Sequence, residues 1–267
     1  MRTIEKFAQA LKKEDFKKIA VMTGAGISVN AGIPDFRSKT GLYSKLKNPE
    51  LVFDINHFIK NPQFFYDNAP SIITPEAQPT LTHYFISFLE SKGLMQICYS
   101  QNIDGLERKA GVKKVVQAHG NIDKAHCALC RKDYSRKDVV DAMRASKVMY
   151  CDCKGPIKPD VVFFGESLPK EFEMNLELVA SADLLIVMGT SLVVRPFSSL
   201  VNHVGFVPRI VINNTDLKSF GDIGLDFSDN KMTKDVLFVG DTDEISRKII
   251  SFAGWKEEFY EKFKVKI

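Results

Sequence analysis

The chain has no long apolar run. Nothing approaches the roughly 20 residues that a membrane-spanning helix needs, and the first residues lack the apolar core of a secretory leader. The expectation is a soluble, intracellular protein, with the cytoplasm as default and the nucleus open. Charge of one sign is also scarce. The 37 basic and 33 acidic residues leave a net charge of +4, and the lysines cluster only in short pairs such as Lys12-Lys13, Lys17-Lys18 and Lys113-Lys114. A nucleic-acid binder would carry a basic stripe, whereas these pairs read as solvated faces. Repeats and low-complexity segments are absent. Cysteine is sparse and odd in number, five in 267 residues, which does not suit a disulfide framework. Hydrophobic content of 45% and charged content of 26% fit a large soluble domain carrying a small insert.

What the cysteines do is set by their spacing. Cys127-x-x-Cys130 and Cys151-x-Cys153 form two close pairs on either side of residues 131–150. Four thiolates suit a closed, tetrahedral, structural zinc site, which does no chemistry but holds a lobe too small to bury its own core. The second pair is C-x-C rather than C-x-x-C, so His126 and Asp152 stand as alternative donors for one position. Cys98 lies apart, inside an apolar run.

Apolar runs alternate with helical patterns. Strands are expected over Lys18–Thr23, Leu94–Ser100, Val115–Ala118, Leu184–Gly189, Arg209–Asn213 and Val236–Val239. Helices are expected over Ile4–Lys13, Thr80–Lys92, Ile103–Lys109, Lys170–Ser181, Phe197–His203 and Asp243–Phe252. Continuous apolar runs such as Leu184-Leu185-Ile186-Val187-Met188 suit strands buried on both faces. The pattern implies an α/β, doubly wound parallel-sheet, Rossmann-like domain. Residues 1–37, 79–120 and 158–267 belong to it. Two excursions form a smaller domain: a helical insertion over 38–78 and a zinc-binding module over 121–157. The tail from Lys256 to Ile267 is amphipathic and charge-rich, with no role legible.

Strand residues Ile19–Thr23 run into Gly24-Ala25-Gly26-Ile27-Ser28. Glycines after a first strand allow a tight turn and close approach of a pyrophosphate to backbone N–H groups, helped by the following helix N-terminus. The G-x-G-x-x-G pattern is incomplete, because Val29 takes the third glycine position, and no acidic residue ends the second strand. Read alone, an ordinary strand-to-helix turn serves as well. Ala31-Gly32-Ile33-Pro34-Asp35-Phe36-Arg37 follows. Its aromatic could exclude water from a reactive sugar carbon, and its guanidinium could pair with phosphate. Gln101-Asn102-Ile103-Asp104 follows the strand Leu94–Ser100, where ligands sit in open α/β sheets; a helix cap is the plainer reading of those residues alone. His119, between a predicted strand and Gly120, could act as a general base near neutral pH; taken alone, a hydrogen-bonded structural histidine is the plainer reading. His83 sits on a helix pattern and reads as structural.

Together these motifs resemble the sirtuin family of NAD-dependent protein deacylases. The matches are Gly24-Ala25-Gly26-Ile27-Ser28, Gly32-Ile33-Pro34-Asp35-Phe36-Arg37, Gln101-Asn102-Ile103-Asp104, His119-Gly120, the cysteine pairs, Phe163-Phe164-Gly165-Glu166, Gly189-Thr190-Ser191 and Asn213. They run in order from about residue 3 to 255, and the Lys158–Pro169 run looks most like the eukaryotic, cytoplasmic-type deacetylase branch. The resemblance implies that Gly24, Ala25, Gly26, Ser28, Asp35, Phe36 and Arg37 line a cofactor loop. Gln101, Asn102, Ile103 and Asp104 would hold the nicotinamide ribose and carboxamide. Gly189, Thr190, Ser191, Asn213 and Asn214 would hold phosphates and adenosine ribose, with Thr242 near the adenine. Catalysis would rest on His119 as base and on Asn102. Val162, Phe163 and Phe164 would form an acyl-lysine tunnel, and Gly165, Glu166, Val193 and Val194 would flank a peptide that adds as a strand. Cys127, Cys130, Cys151 and Cys153 would hold the zinc.

The implied chemistry consumes NAD as a co-substrate. The acetyl oxygen captures the ribose carbon as nicotinamide leaves, and His119 then takes a proton from the ribose hydroxyls. Products would be free lysine, nicotinamide and acetyl-ADP-ribose. The implied partners are acetylated lysines in protein substrates, histone or tubulin-like tails among them, with no nucleic acid and no membrane, acted on by a monomer. Family members that take acidic acyl groups use a Tyr and an Arg in the helical excursion; between Gln63 and Glu76 this chain has Tyr66 but no Arg. Rival readings are a protein mono-ADP-ribosyltransferase, a long-chain deacylase and a weakly catalytic scaffold. The intact Phe163-Phe164-Gly165-Glu166 run disfavours the transferase, and His119 with Asn102 disfavours the scaffold.

Overall fold

The computed structural model describes residues 2–36, 41–46, 48–74, 76–217, 223–228 and 234–267. Nine strands are assigned among them: β1 Ile19–Thr23, β2 Met95–Ser100, β3 Val115–Gln117, β4 Gly120–Cys127, β5 Asp133–Tyr134, β6 Ile157–Val161, β7 Leu184–Met188, β8 Arg209–Asn213 and β9 Asp235–Val239. Six of them form one sheet in the order β3-β2-β1-β7-β8-β9, with every pair parallel. All residues of β1 and of β7 are buried, which is why both read as unbroken apolar runs in the sequence.

Helices cover both faces of this sheet. Ile4–Lys12, Leu81–Ser91 and Thr242–Phe252 put Phe7, Leu11, Phe85, Phe88 and Ile249 into the core on one side. Phe172, Val179, Phe197 and Leu200 fill the other. Each such side chain contributes about 1.5–3 kcal/mol when fully buried. The doubly wound architecture expected from the sequence is the one found. The unassigned tail folds as a helix over Lys256–Phe263. Its Phe259 is buried, and Phe88 meets Phe259 at 5.4 Å and Trp255 at 5.4 Å between ring centroids.

Four expected helices differ in form. The helix expected over Ile103–Lys109 spans only Leu106–Lys109, because Gly105 sits in the left-handed region (φ 71°) and Asp104 Oδ1 caps the Leu106 N–H at 2.9 Å. The Lys170–Ser181 pattern breaks at Asn175 into Lys170–Met174 and Leu176–Ala180. Ala25–Ala31, after β1, and Phe197–Asn202 are 3₁₀ rather than α-helical. The first of these ends at Gly32, with φ 82°, so the glycine turn is followed by a short tight coil instead of a long dipolar helix.

A smaller lobe holds a three-stranded antiparallel sheet, β5-β4-β6. No strand was expected between residues 121 and 157. Four short helices, Leu42–Lys45, Pro49–Val52, Ile55–Lys60 and Pro62–Asn68, pack with Arg136–Arg144 and this sheet around one core that includes Phe53, Phe58, Phe65, Tyr66, Val139, Ile157 and Phe163. The helical insertion and the cysteine module therefore share a single hydrophobic interior. Among the described residues, no helix is long and apolar enough to cross a membrane.

Candidate active site and metal centre

Strand order reverses beside β1. The chain steps from β1 outward to β2 and β3, then returns to β7 on the other side. Ligands of open α/β sheets bind outside the carboxyl ends of the strands in a crevice at such a switch point, here flanked by the loops after β1 and β7. The two loops touch backbone to backbone. The Gly24 N–H donates to Met188 O (3.1 Å) and the Gly26 N–H to Gly189 O (2.8 Å). A Cβ on Gly26 would fall 2.7 Å from Gly189 Cα, and one on Gly24 would fall 2.7 Å from Thr190 Cβ. Gly189 itself has φ +63°, and a Cβ there would lie 2.5 Å from Ile27 N. Gly24, Gly26 and Gly189 are thus required by close approach.

The Gln101–Asp104 run, at the end of β2, is wired into that crevice. Thr190 Oγ1 donates to Gln101 Oε1 at 2.7 Å. Asn102 is buried, and its Nδ2 donates to Gly24 O (3.2 Å) and Ser28 Oγ (3.3 Å). Ser28 Oγ donates in turn to Asp104 Oδ2 at 2.7 Å. Burial pushes the Asp104 carboxyl above its ordinary range, with buried Glu107 adding to the effect.

A cavity of about 490 Å³ lies on the Asn102–Asp104 side. Ala25, Ile33, Pro34, Phe36, Asn102, Ile103 and Asp104 form one end, and Leu42, Ile72, Ile122, Arg108, Lys109 and Arg136 continue it. Phe36 is held edge-on against Tyr43 (5.7 Å) and Phe53 (6.4 Å), which fixes it as a wall. Asp35 anchors the same loop, its carbonyl accepting from the Leu42 N–H. Arg37 lies outside the described residues.

His119 follows β3 and is partly buried. Its Nδ1 lies 3.1 Å from Gln101 O. A carbonyl only accepts, so Nδ1 carries the proton and Nε2 keeps the lone pair. Burial lowers the His119 pKa from the ordinary 6.5, against the pull of Gln101 O, so the ring is a neutral base at physiological pH. The segment Val162–Glu166 is tied to it: the Val162 N–H donates to His119 O at 2.9 Å. Phe163 is buried against Phe53, Phe58 and Phe65, while Phe164 is 47% exposed and Val193 44% exposed at the cleft rim.

The other expected positions lie along the same sheet edge. Thr190 is buried and Ser191 half-buried in the loop after β7. Asn213 ends β8, with its carbonyl accepting from the Gly240 N–H (2.9 Å); Asn214 is exposed beside it. Thr242 starts the last sheet-covering helix and is buried. Val194 is half-buried.

Several site residues went unread in the sequence. Glu107 is 1% exposed, and its Oε1 accepts from Thr23 Oγ1 (2.9 Å) and Ser100 Oγ (2.6 Å). Hydroxyls ending two adjacent parallel strands, with a glutamate after the second, were the available signal. Ile33, Pro34, Leu42, Ile72 and Ile122 enter the cavity wall from separate loops, and no spacing announces that.

The four paired cysteines converge. The Sγ atoms of Cys127, Cys130, Cys151 and Cys153 all lie within 4.8 Å of one another. Cys127 and Cys153 are 3.4 Å apart and Cys130 and Cys151 3.6 Å apart. Tetrahedral zinc with bonds of about 2.3 Å spaces its sulfurs by about 3.8 Å, so the donor set fits. The hydrogen bond of the Tyr134 hydroxyl, aided by the Cys153 backbone, draws the Cys151 thiol down to about 6, toward the thiolate that binds metal. His126 is engaged elsewhere, with Asp160 and Arg131, and Asp152 pairs with Lys132 at 2.7 Å. The C-x-C pair therefore places both of its thiols in the cluster. Cys98 is buried in β2, and burial pushes its thiol well up.

Comparison with known proteins agrees with this geometry. The Sir2 family model matches residues 24–196. A "NAD-dependent deacetylase sir2A" of Dictyostelium discoideum is 43% identical over 96% of this chain, which spans 53% of that relative's length. A "NAD-dependent protein deacetylase sirtuin-2" of Danio rerio is 41% identical over 98% of this chain and 75% of its own. A solved structure described as Sir2 with p53 peptide and NAD+ superposes with a TM-score of 0.78 at 33% identity, covering 94% of this chain and 99% of that one. The family match and these identities extend over most of the sequence, and the chain belongs to the Sir2 family.

Proposed function

We propose that the chain removes acetyl groups from lysine side chains of proteins with NAD as co-substrate, releasing nicotinamide and forming acetyl-ADP-ribose. The observation that carries this reading is His119, neutral and with Nε2 free as acceptor, at the crevice where Asn102, Ser28 and Asp104 are already hydrogen-bonded to the glycine turn. NAD supplies a glycosidic bond whose cleavage makes a ribose carbon open to attack by the acetyl oxygen. Gly24, Ala25, Gly26, Asp35, Phe36 and Arg37 would enclose it, and Gln101, Asn102, Ile103 and Asp104 would take its nicotinamide end. Gly189, Thr190, Ser191, Asn213, Asn214 and Thr242 would hold the remainder. His119 Nε2 takes a proton from the ribose hydroxyls. Phe36 excludes water from the reacting carbon. Val162, Phe163 and Phe164 would wall the acyl-lysine, with Gly165-Glu166 and Val193-Val194 pairing the peptide on either side. Zinc on the four cysteines would act as a structural staple for the small lobe.

The proposed division of labour gives NAD to residues 1–37, 79–120 and 158–267, with 38–78 and 121–157 closing over it. Histone or tubulin-like tails are the proposed protein substrates, and a monomer working in the cytoplasm or nucleus is the proposed form.

Mass spectrometry of an acetyl-lysine peptide incubated with NAD tests the reading. Wild type should remove one acetyl mass and form acetyl-ADP-ribose, and His119→Ala should do neither. The acid limb of kcat/KM should fall below pH 6.5, in line with the lowered His119 pKa. Nicotinamide release with the peptide still acetylated would refute deacetylation, and an acyl panel would then separate long-chain deacylation from ADP-ribosyl transfer.

A further inference from the structure

Lys158 lies on β6 with only 1% of its side chain exposed. A buried ammonium is costly unless its donors are satisfied. Here all three are: Nζ donates to Pro159 O (3.2 Å), to Val161 O, and to Glu166 Oε2 (2.9 Å). It also stands 4.2 Å from the centroid of the Phe163 ring. Glu166 Oε2 accepts a second bond, from the Phe163 N–H at 2.8 Å. One side chain thus holds the carbonyl at the start of the 161–166 turn, the ring in its middle and the carboxylate at its end.

The turn is also held from outside. The Val162 N–H reaches His119 O, the Phe164 N–H donates to Phe53 O (2.6 Å), and Phe164 O accepts from the Ile55 N–H (3.1 Å). Those bonds fix its two flanks to the base and to the helical insertion. Gly165, at φ +94°, takes part in none of them. Its placement follows Glu166, whose N–H donates to Phe163 O at 3.0 Å and whose carboxylate is shared between the Phe163 N–H and Lys158. Lys158 does not line the cavity.

We infer that Lys158 is a positioning residue for the protein substrate: through Glu166 and Phe163 it sets the Gly165-Glu166 edge at the angle that receives the acetyl-lysine peptide. The inference rests on the deacetylase reading above. Lys158→Met keeps the length of the side chain and removes its donors. Glu166 Oε2 then keeps only the Phe163 N–H, and its partly exposed carboxylate loses the charge that pins the edge.

The experiment is fluorescence anisotropy with a labelled acetyl-lysine peptide, alongside NAD binding by calorimetry. Lys158→Met should weaken peptide binding about tenfold and leave NAD affinity within about twofold, and Lys158→Arg should restore most of the peptide affinity. Unchanged peptide binding in Lys158→Met overturns the inference, as does an equal loss of both affinities. If Lys158→Met fails to fold by circular dichroism, Lys158→Gln gives the same test, since it keeps a polar head but loses the ammonium: it should lose peptide affinity selectively, and unchanged peptide binding or equal losses overturn the inference. A wild-type chain that binds no acetyl-lysine peptide removes the deacetylase reading first, whereas a wild type that binds and a Met variant that binds equally remove only the role of Lys158.

Discussion

Acidification should destabilise this protein through His83. The ring is fully buried, and its Nδ1 lies 3.1 Å from Thr80 N and 2.8 Å from Thr80 Oγ1 in a capping box. Burial drives its pKa down from 6.5 to about 4, against the opposing charges of Asp104 and Asp243. For a base depressed on folding, the unfolded chain takes the proton first. Stability is therefore intact above pH 6.5 and is lost as pH falls toward 4. Moving a pKa by one pH unit corresponds to about 1.4 kcal/mol, so the full loss is about 3 kcal/mol, of which about 2 kcal/mol has gone by pH 5. Unfolding entropy of about 2.1 cal/mol/K per residue converts that to a Tm drop of about 3–4 °C for a chain of this size. Asp104 and Glu107, raised by burial, titrate in the opposite sense, so the comparison must be with a variant that keeps them. His83→Gln preserves an acceptor for the Thr80 N–H and does not titrate. Thermal melts of both proteins at pH 7 and pH 5 should show the variant losing about 3–4 °C less. Equal losses would refute the claim that a buried neutral His83 carries acid sensitivity.

The remaining predictions concern the backbone crevice and the metal. Gly189→Ala forces a Cβ to within 2.5 Å of Ile27 N at a left-handed backbone position. It should cost at least about 1 kcal/mol in strain, lower the Tm and weaken NAD binding; a variant with wild-type NAD affinity would show that the Gly26–Gly189 approach is dispensable. Purified protein should contain one zinc per chain, and Cys127→Ser should lose it with a fall in Tm. Elemental analysis that finds no zinc in chain purified under reducing conditions would contradict the metal assignment.

What was legible in the sequence follows burial. β1, β7 and β8 have core on both faces, so their residues form unbroken apolar runs and their bounds match the expectation closely. Candidate residues stood out where they follow strand ends, Gly24–Ser28 after β1, Gln101–Asp104 after β2, His119 after β3 and Gly189–Ser191 after β7. β4 was not, since its register slips between Gly120 and Ala125 and exposed Asp123 and Lys124 interrupt its buried residues. β6 hid behind Lys158 and Pro159, residues that composition assigns to the surface and to breaks. Helix type was lost where hydrogen bonds to a distant loop decided it, as for Ala25–Ala31 held under Gly189. The tail Lys256–Phe263 had the right residues for a helix, but its packing on the distant Phe88 is what buries Phe259.

The shared interior of the small lobe also bears on synthesis. Phe65 and Tyr66 emerge early from the ribosome, yet their packing partners Ile157 and Phe163 lie far downstream. Tyr66 cannot give its hydroxyl proton to Ile157 O, which it meets at 2.8 Å, until the cysteine module has been translated. At bacterial-to-eukaryotic elongation rates of about 5–20 residues per second, that leaves the first excursion's aromatics without a core for roughly 5–20 s. During that interval they are targets for chaperones and for wrong partners. Slowing translation between the two excursions should therefore lower the yield of soluble protein more than slowing it after Phe163.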